Sequence, residues 1–156
     1  MTDLTFADSV VIARPPRAVY DLVTDISRMG DWSPVCRACW WDDGAGPQAG
    51  AWFTGRNELN GRVWETRSQV AAAEPGREFT FLVAGGWVRW TYRFEAAGQG
   101  TGTVLTEEWE FRPMGIAGFR ERYGDEAQAQ IDQRAALARE GIPVTLAAIK
   151  RAAEAD

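Results

Sequence analysis

The chain has 156 residues, a length typical of one domain and sufficient to bury a core without disulfides or metal. Its 17 basic and 22 acidic residues give a net charge of −5, and no segment concentrates Lys or Arg, so we expect no nucleic-acid partner. The sequence has neither a run of about 18 apolar residues nor a signal-like start. We therefore predict a single cytoplasmic domain, residues 1–156, without membrane insertion.

Two compositional features restrict the chemistry. The chain has no histidine, which removes the commonest general base, the His-dependent triads and nearly every zinc site of mixed ligands. Any catalysis must use carboxylates, Tyr, Lys or bound water, and we predict no metal and no cofactor. Eight Trp, three Tyr and seven Phe supply large flat apolar surfaces, which either fill a core or line a pocket.

The N-terminal part predicts one strand and two short helices. Residues 4–14 alternate loosely and are rich in Val and Ile, which indicates a strand that ends at Pro15 and Pro16. Residues 16–29 then carry apolar positions at helical spacing, with an interruption near Asp25. Two short helices in succession fit this pattern.

Residues 35–112 change to a period of two, which predicts strands. Turn signals recur at intervals, namely Gly44 to Pro47, Asn60-Gly61, Pro75-Gly76, Gly85-Gly86 and Gly98 to Gly100. They divide the region into six strands whose short connections allow only antiparallel neighbours. With the first strand, the prediction is a seven-stranded antiparallel sheet.

The C-terminal part predicts a long helix. Residues 114–125 show no clear period, and we predict an irregular segment there. The following residues, to about Glu154, carry one apolar stripe that must lie on the sheet: Ile131, Ala135, Ala138, Ile142, Leu146, Ile149 and Ala153. Pro143 lies inside this helix, where we expect a kink.

Short segments along residues 4–154 carry a family resemblance. They are residues 19–25, 31–36, 50–57, 90–92, Gly102-Thr103, and Gly141-Ile142 through Thr145-Leu146 and Lys150. In these segments the chain resembles bacterial proteins of the SRPBCC, or START-like, superfamily, of the polyketide cyclase/dehydrase and lipid transport type.

The resemblance implies an α+β helix-grip fold, in which a curved seven-stranded antiparallel sheet wraps around the long C-terminal helix and encloses a hydrophobic cavity. Polyketide cyclases and dehydratases, lipid and sterol carriers and hormone receptors share that fold. Function must therefore be argued from the site rather than from the fold.

Strand alternation predicts which residues face the interior. We expect a ligand to contact aromatic and polar side chains of five strands together with two residues of the long helix: Phe53, Asn57, Trp64, Phe81, Trp90, Tyr92, Glu107, Trp109, Ile142 and Leu146.

Glu107, Tyr92 and Asn57 are the polar members of these rows. A carboxylate on an inward face is costly unless it is hydrogen-bonded or protonated, so Glu107 is the first catalytic candidate and Tyr92 the second. The alternative is that Glu107 pairs with Arg56, Arg89 or a Tyr hydroxyl and organises the interior. Asn57 either orients a ligand carbonyl or is a structural amide.

Cys36 and Cys39 form the pattern C-x-x-C, which in redox proteins begins a helix. Here the pattern falls in a predicted strand, where two residues three apart lie on opposite faces. We therefore expect neither a redox nor a metal role for this pair.

Three functions remain open from the sequence. The first is binding of a hydrophobic, lipid-like or polyketide-like aromatic molecule. The second is a cyclase- or dehydratase-like enzyme in which Glu107, Tyr92 or ordered water moves protons. The third is a protein-interaction domain of the same fold. Exposed edge strands permit either a monomer or a homodimer.

Overall fold

The computed structural model describes residues 4–155, in which seven strands and four α-helices alternate with short 3-10 turns. The strands are β1 (Thr5–Ile12), β2 (Cys36–Trp41), β3 (Trp52–Leu59), β4 (Arg62–Glu74), β5 (Glu78–Val83), β6 (Val88–Ala97) and β7 (Gly102–Phe111). The helices are α1 (Pro16–Thr24), α2 (Met29–Trp32), α3 (Pro113–Tyr123) and α4 (Ala127–Ala155).

The strands form one antiparallel sheet in the order β1-β7-β6-β5-β4-β3-β2. Strands β2 to β7 follow one another as a meander, and β1 pairs with β7 as an edge strand of the sheet. The predicted α+β architecture is therefore confirmed, including the two short helices after the first strand and the long C-terminal helix.

The segment that we predicted to be irregular, residues 114–125, is mostly helical, and that prediction was wrong. Pro113 occupies the first turn of α3, where its missing N–H costs nothing. Gly115 and Gly118 lower the helix propensity of this segment, and for that reason the sequence pattern did not predict a helix. Both glycines are needed for packing, because a Cβ would lie 2.6 Å from the Trp87 carbonyl oxygen at Gly115 and 2.3 Å from the Trp87 ring at Gly118. Tertiary contact thus outweighs local propensity.

Helix α4 lies on the inner face of the sheet. All seven positions of its predicted apolar stripe are buried, and α4 continues through Pro143 as one helix. Its C-terminal end is fastened to the β1–α1 connection, where Arg14 donates to the Ala153 carbonyl at 3.1 Å and the Ala13 N–H donates to Glu154 at 2.9 Å. In the N-terminal half of α4, Ala135 and Ala138 each contribute only a methyl group to this apolar stripe.

The outer face of the sheet carries charged pairs across neighbouring strands. Arg89 lies 3.3 Å from Glu110, and Arg93 lies 3.6 Å from Glu108. Because side chains alternate along a strand, the intervening residues of β6 and β7 point inward, toward α4. The charged and apolar faces of the sheet are thereby separated.

Candidate functional site

A cavity of about 610 Å³ lies between the inner face of the sheet and helices α3 and α4. Its walls are mainly aromatic and come from four strands and α3: Phe53, Phe81, Trp90, Trp109, Phe111 and Phe119. Ala138 and Gly141 of α4 also line it, and because Ala138 has only a methyl group and Gly141 no side chain, the space stays open on that side. The volume falls within the usual range of ligand pockets, about 300–1,000 Å³.

Nine of the ten residues that we expected to contact a ligand line this cavity. The exception is Leu146, which is buried in the core outside the cavity lining. Leu146 is one helical turn beyond Ile142, a rise of about 6 Å, and at that point α4 has passed the end of the cavity. The ligand-binding roles of the other nine stay predictions.

Glu107 and Tyr92 form a buried pair on the inner face. They are direct cross-strand partners in the β6–β7 register, and the Tyr92 hydroxyl donates to Glu107 Oε2 at 2.9 Å. Glu107 is 3% exposed, and its Oε1 has no hydrogen-bond partner among the described residues. One carboxyl oxygen is therefore anchored, and the other is available to a molecule in the cavity.

Burial raises the pKa of Glu107 to about 8, and the hydrogen bond from Tyr92 offsets only part of that rise. Burial also raises the pKa of Tyr92, to which the neighbouring Glu107 charge adds. At neutral pH both groups are mainly protonated, so the pair can both donate and accept a hydrogen bond.

Neither arginine considered as a partner of Glu107 contacts it. Arg56 lies 3.3 Å from Glu65, and Arg89 pairs with Glu110 on the outer face. The alternative that an arginine neutralises Glu107 is thereby wrong, because strand alternation points Arg89 away from the cavity. The other possibility, that Glu107 pairs with a Tyr hydroxyl, is the arrangement found.

Asn57 is tied to the sheet rather than free in the cavity. Its Nδ2 donates to Thr66 Oγ1 at 3.2 Å and, more weakly, to the Trp64 carbonyl at 3.5 Å. The amide nitrogen therefore holds β3 to β4.

Cys36 and Cys39 lie on the same face, and our prediction of opposite faces was wrong. The β2–β3 register shifts between Cys36 and Ala38, so a bulge at Arg37 inserts one extra residue. Both cysteines are buried and line the cavity, and a Cβ on Gly55 would lie 3.8 and 3.9 Å from their sulfurs. Sequence alternation cannot reveal such a bulge.

Both thiols lie beside Gly55, and the Cys36 thiol donates to the Ala38 carbonyl oxygen at 3.4 Å. The influence of Cys39 lowers the pKa of Cys36, while the influence of Cys36 and burial raise the pKa of Cys39. Within residues 4–155 no group of three or more metal-ligating side chains occurs. We call Cys36, Cys39, Tyr92 and Glu107 the inner cluster.

A second group of cavity residues was not predicted from the sequence. Arg62, Trp87, Arg122, Tyr123 and Arg134 lie where the cavity meets the surface, and we call them the mouth. Most of them belong to α3 and α4 or to the turn before β6, whose facing sides a strand pattern does not specify. The spacing of Gly115 and Gly118 is the one sequence signal for the contact of α3 with Trp87.

The fold and this cavity together define a helix-grip protein. The family model described as "Polyketide cyclase / dehydrase and lipid transport" matches residues 3–139. The chain belongs to this family. A comparison with curated proteins finds no match.

Solved structures extend the likeness over nearly the whole chain. The solution structure of the polyketide cyclase-like protein Cgl2372 from Corynebacterium glutamicum is 51% identical, covers 98% of this chain and 93% of its own, and superposes with a TM-score of 0.71. The Zhui aromatase/cyclase from Streptomyces sp. R1128 is 17% identical with a TM-score of 0.72, covering 96% and 93%. At that identity the second likeness supports the fold alone.

A third solved structure is longer than this chain. The di-domain aromatase/cyclase StfQ of the steffimycin biosynthetic pathway is 13% identical with a TM-score of 0.69, and the match covers 97% of this chain and 51% of StfQ. It too supports the fold alone. Among residues 4–155, no helix combines the length and the apolar character needed to cross a membrane.

Proposed function

We propose that this protein binds an apolar small molecule in the cavity between the sheet and α4. The observation that carries the proposal is the cavity of about 610 Å³ with aromatic walls and the buried, hydrogen-bonded side chains of Tyr92 and Glu107. Binding sites for small molecules share this combination of mostly apolar walls and a few placed polar groups. The lipid-transport part of the family description is consistent with it.

The size of the cavity favours an occupant. Leaving about 610 Å³ dry would cost roughly 15 kcal/mol at about 24 cal/mol per Å³. That cost equals the upper end of the total stability of a domain, about 5 to 15 kcal/mol. Water satisfies its hydrogen bonds near Glu107 but not between Trp90, Trp109 and Phe81. An apolar molecule fills that part at lower cost.

The Tyr92–Glu107 pair gives such a molecule a preferred orientation. Glu107 Oε1 lies in a low-dielectric site, where an unmade hydrogen bond costs about 1–3 kcal/mol. A ligand hydroxyl or carbonyl at this position recovers that energy, because the protonated carboxyl both donates and accepts. Ligands with one polar group at the buried end should therefore bind better than pure hydrocarbons.

Binding is tested with Nile red, a neutral fluorescent probe, and with native mass spectrometry of the purified protein. Ala138→Leu extends a side chain into the cavity, whereas Ala136→Leu adds the same atoms on the exposed side of α4. We expect wild type and Ala136→Leu to bind Nile red alike, and Ala138→Leu to bind at least about tenfold more weakly. Equal binding by both variants, or no binding by wild type, would overturn the proposal.

Proton transfer is the second candidate function, and the neutral Glu107 beside Tyr92 is what favours it. A carboxylic acid with a raised pKa is a suitable general acid near neutral pH. The description of the matched family names cyclases and dehydrases, and general acid catalysis suits reactions of both kinds. With a linear poly-β-ketone thioester as substrate, Glu107→Gln should abolish product absorbance while leaving Nile red affinity unchanged. Undiminished turnover would exclude Glu107 as the acid.

A further inference from the structure

Three arginines from three elements meet at the mouth. Arg62 begins β4, Arg122 lies in the last turn of α3, and Arg134 lies in the first half of α4. All three line the cavity, and within residues 4–155 none forms an ion pair with a carboxylate. The chain as a whole carries a net charge of −5, so this cluster of three arginines without carboxylate partners has the opposite sign to the net charge.

Two further charged residues of the cavity lining, Glu65 and Arg67, are already paired. Glu65 lies 3.3 Å from Arg56, and Arg67 lies 2.9 Å from Asp42. Neither carboxylate is therefore free to compensate the three arginines. Glu107, the remaining acidic residue of the cavity lining, is held neutral in the inner cluster.

Each of the three guanidinium groups is supported by an aromatic ring. The distances from guanidinium carbon to ring centre are 5.3 Å for Arg62 on Trp64 and 5.2 Å for Arg122 on Trp87. Arg134 lies 5.5 Å from the Phe119 ring. A ring contact restrains the guanidinium plane but leaves its N–H edge available, which is the edge that binds planar oxyanions.

Arg134 is the most buried of the three arginines, and its surroundings disfavour its positive charge. Burial lowers the pKa of Arg134, and the charge of Arg62 lowers it further, while Tyr123 acts in the opposite direction. Its Nη1 donates to Gln133 at 3.2 Å, a neutral acceptor that leaves the positive charge uncompensated. A bound anion would offset both the desolvation cost of Arg134 and its repulsion from Arg62.

We propose that Arg62, Arg122 and Arg134 bind the anionic head group, a carboxylate or a phosphate, of an amphipathic ligand whose apolar chain lies in the cavity. This inference rests on the proposed binding function and specifies its ligand class. The neutral inner cluster then contacts the buried end of the chain. The ligand enters with its charge toward solvent, and no ion has to cross the aromatic walls.

The test compares four twelve-carbon amphiphiles as competitors of Nile red: dodecanoate, dodecyl phosphate, dodecan-1-ol and dodecylammonium. We expect the two anions to displace the probe at concentrations about tenfold or more below the alcohol, and the ammonium to be weakest. The relative strength of the two anions distinguishes a carboxylate from a phosphate ligand. Added salt should weaken the anions and leave the alcohol nearly unchanged.

Arg62→Gln, Arg122→Gln and Arg134→Gln should each weaken the anions several-fold without weakening the alcohol. Arg120→Gln is the matched control, because Arg120 is exposed on α3 and does not line the cavity. If Nile red binds but alcohol and anions compete equally, the head-group inference fails and the binding proposal stands. If neither Nile red nor any amphiphile binds, both fail.

Discussion

The inner cluster and the mouth hold their polar groups in opposite ways. In the inner cluster, Tyr92 and Glu107 are fully buried, hydrogen-bonded to each other and neutral at pH 7. At the mouth, the cationic side chains of Arg62 and Arg122 are exposed and rest on aromatic rings. The cavity therefore has a neutral end and a cationic end joined by apolar walls. That asymmetry gives a bound molecule a direction.

The difference in burial between the inner cluster and the mouth also separates residues that stabilise the fold from residues that select a ligand. Side chains of the inner end pack in the core, and their removal should cost stability. Side chains of the mouth are partly solvated, and their removal should change affinity more than stability. Stability and affinity measurements on single variants distinguish these two groups of side chains.

Truncation of a tryptophan should cost more unfolding free energy at the inner end of the cavity than at the mouth. Trp109 is 2% exposed, so Trp109→Ala should lower the free energy of unfolding by about 3–5 kcal/mol. Trp87 at the mouth is half-buried, and Trp87→Ala should cost clearly less. Urea unfolding of both variants measures the two costs. Equal losses would contradict the division.

The raised pKa of Glu107 predicts a pH dependence of stability. In the unfolded chain this carboxyl has its ordinary pKa of 4.5, and in the folded protein about 8, so between these values the folded state binds more protons. The stability of the ligand-free protein should therefore fall as pH rises from about 4.5 to about 8. The slope from this group approaches ~1.4 kcal/mol per pH unit.

Glu107→Gln removes the titrating group and should flatten the profile across that window. Chemical unfolding at pH 5, 6, 7 and 8 provides the comparison. A wild-type profile with the same slope as that of the Gln variant would show that Glu107 is not buried as a neutral acid.

Gly118→Ala should disturb the mouth selectively. In an exposed helix this change stabilises by about 1 kcal/mol, but here the new Cβ would meet the Trp87 ring at 2.3 Å. We expect a loss of about 1–3 kcal/mol instead. Displacement of Trp87 also removes the support of Arg122, so the preference for dodecanoate over dodecanol should shrink. A stabilised variant with unchanged preference would contradict this contact.

Thiol reactivity gives the smallest effect and reports on how accessible the two cysteines of the inner cluster are. The lowered pKa of Cys36 predicts that iodoacetamide modifies Cys36 before Cys39, as read by peptide mass spectrometry. A cavity ligand should protect both thiols. Faster modification of Cys39, or no protection by dodecanoate, would show that the thiols do not face the occupied cavity.

Much of the fold follows from sequence because several local signals agree. Turn residues separate the strands, and the apolar stripe of α4 specifies its buried side. Helix α3 escaped prediction because Gly115 and Gly118 serve a contact with Trp87 that lies 28 and 31 residues away in the chain. Local propensity carries no information about such a contact.

The inner end of the site was largely predictable, and the mouth was not. A period of two places Tyr92 and Glu107 inward whatever the details of the sheet. The bulge at Arg37 shifts Cys36 relative to Cys39, and nothing in the residues themselves marks it. Arg122 and Arg134 come together through the docking of two helices, which depends on tertiary packing.

The orientation of a bound amphiphile tests the account most directly. A crystal structure of the protein with dodecanoate should show the carboxylate among Arg62, Arg122 and Arg134, and the methyl end near Tyr92 and Glu107. A carboxylate placed against Glu107, or a chain bound on the outer face of the sheet, would contradict it.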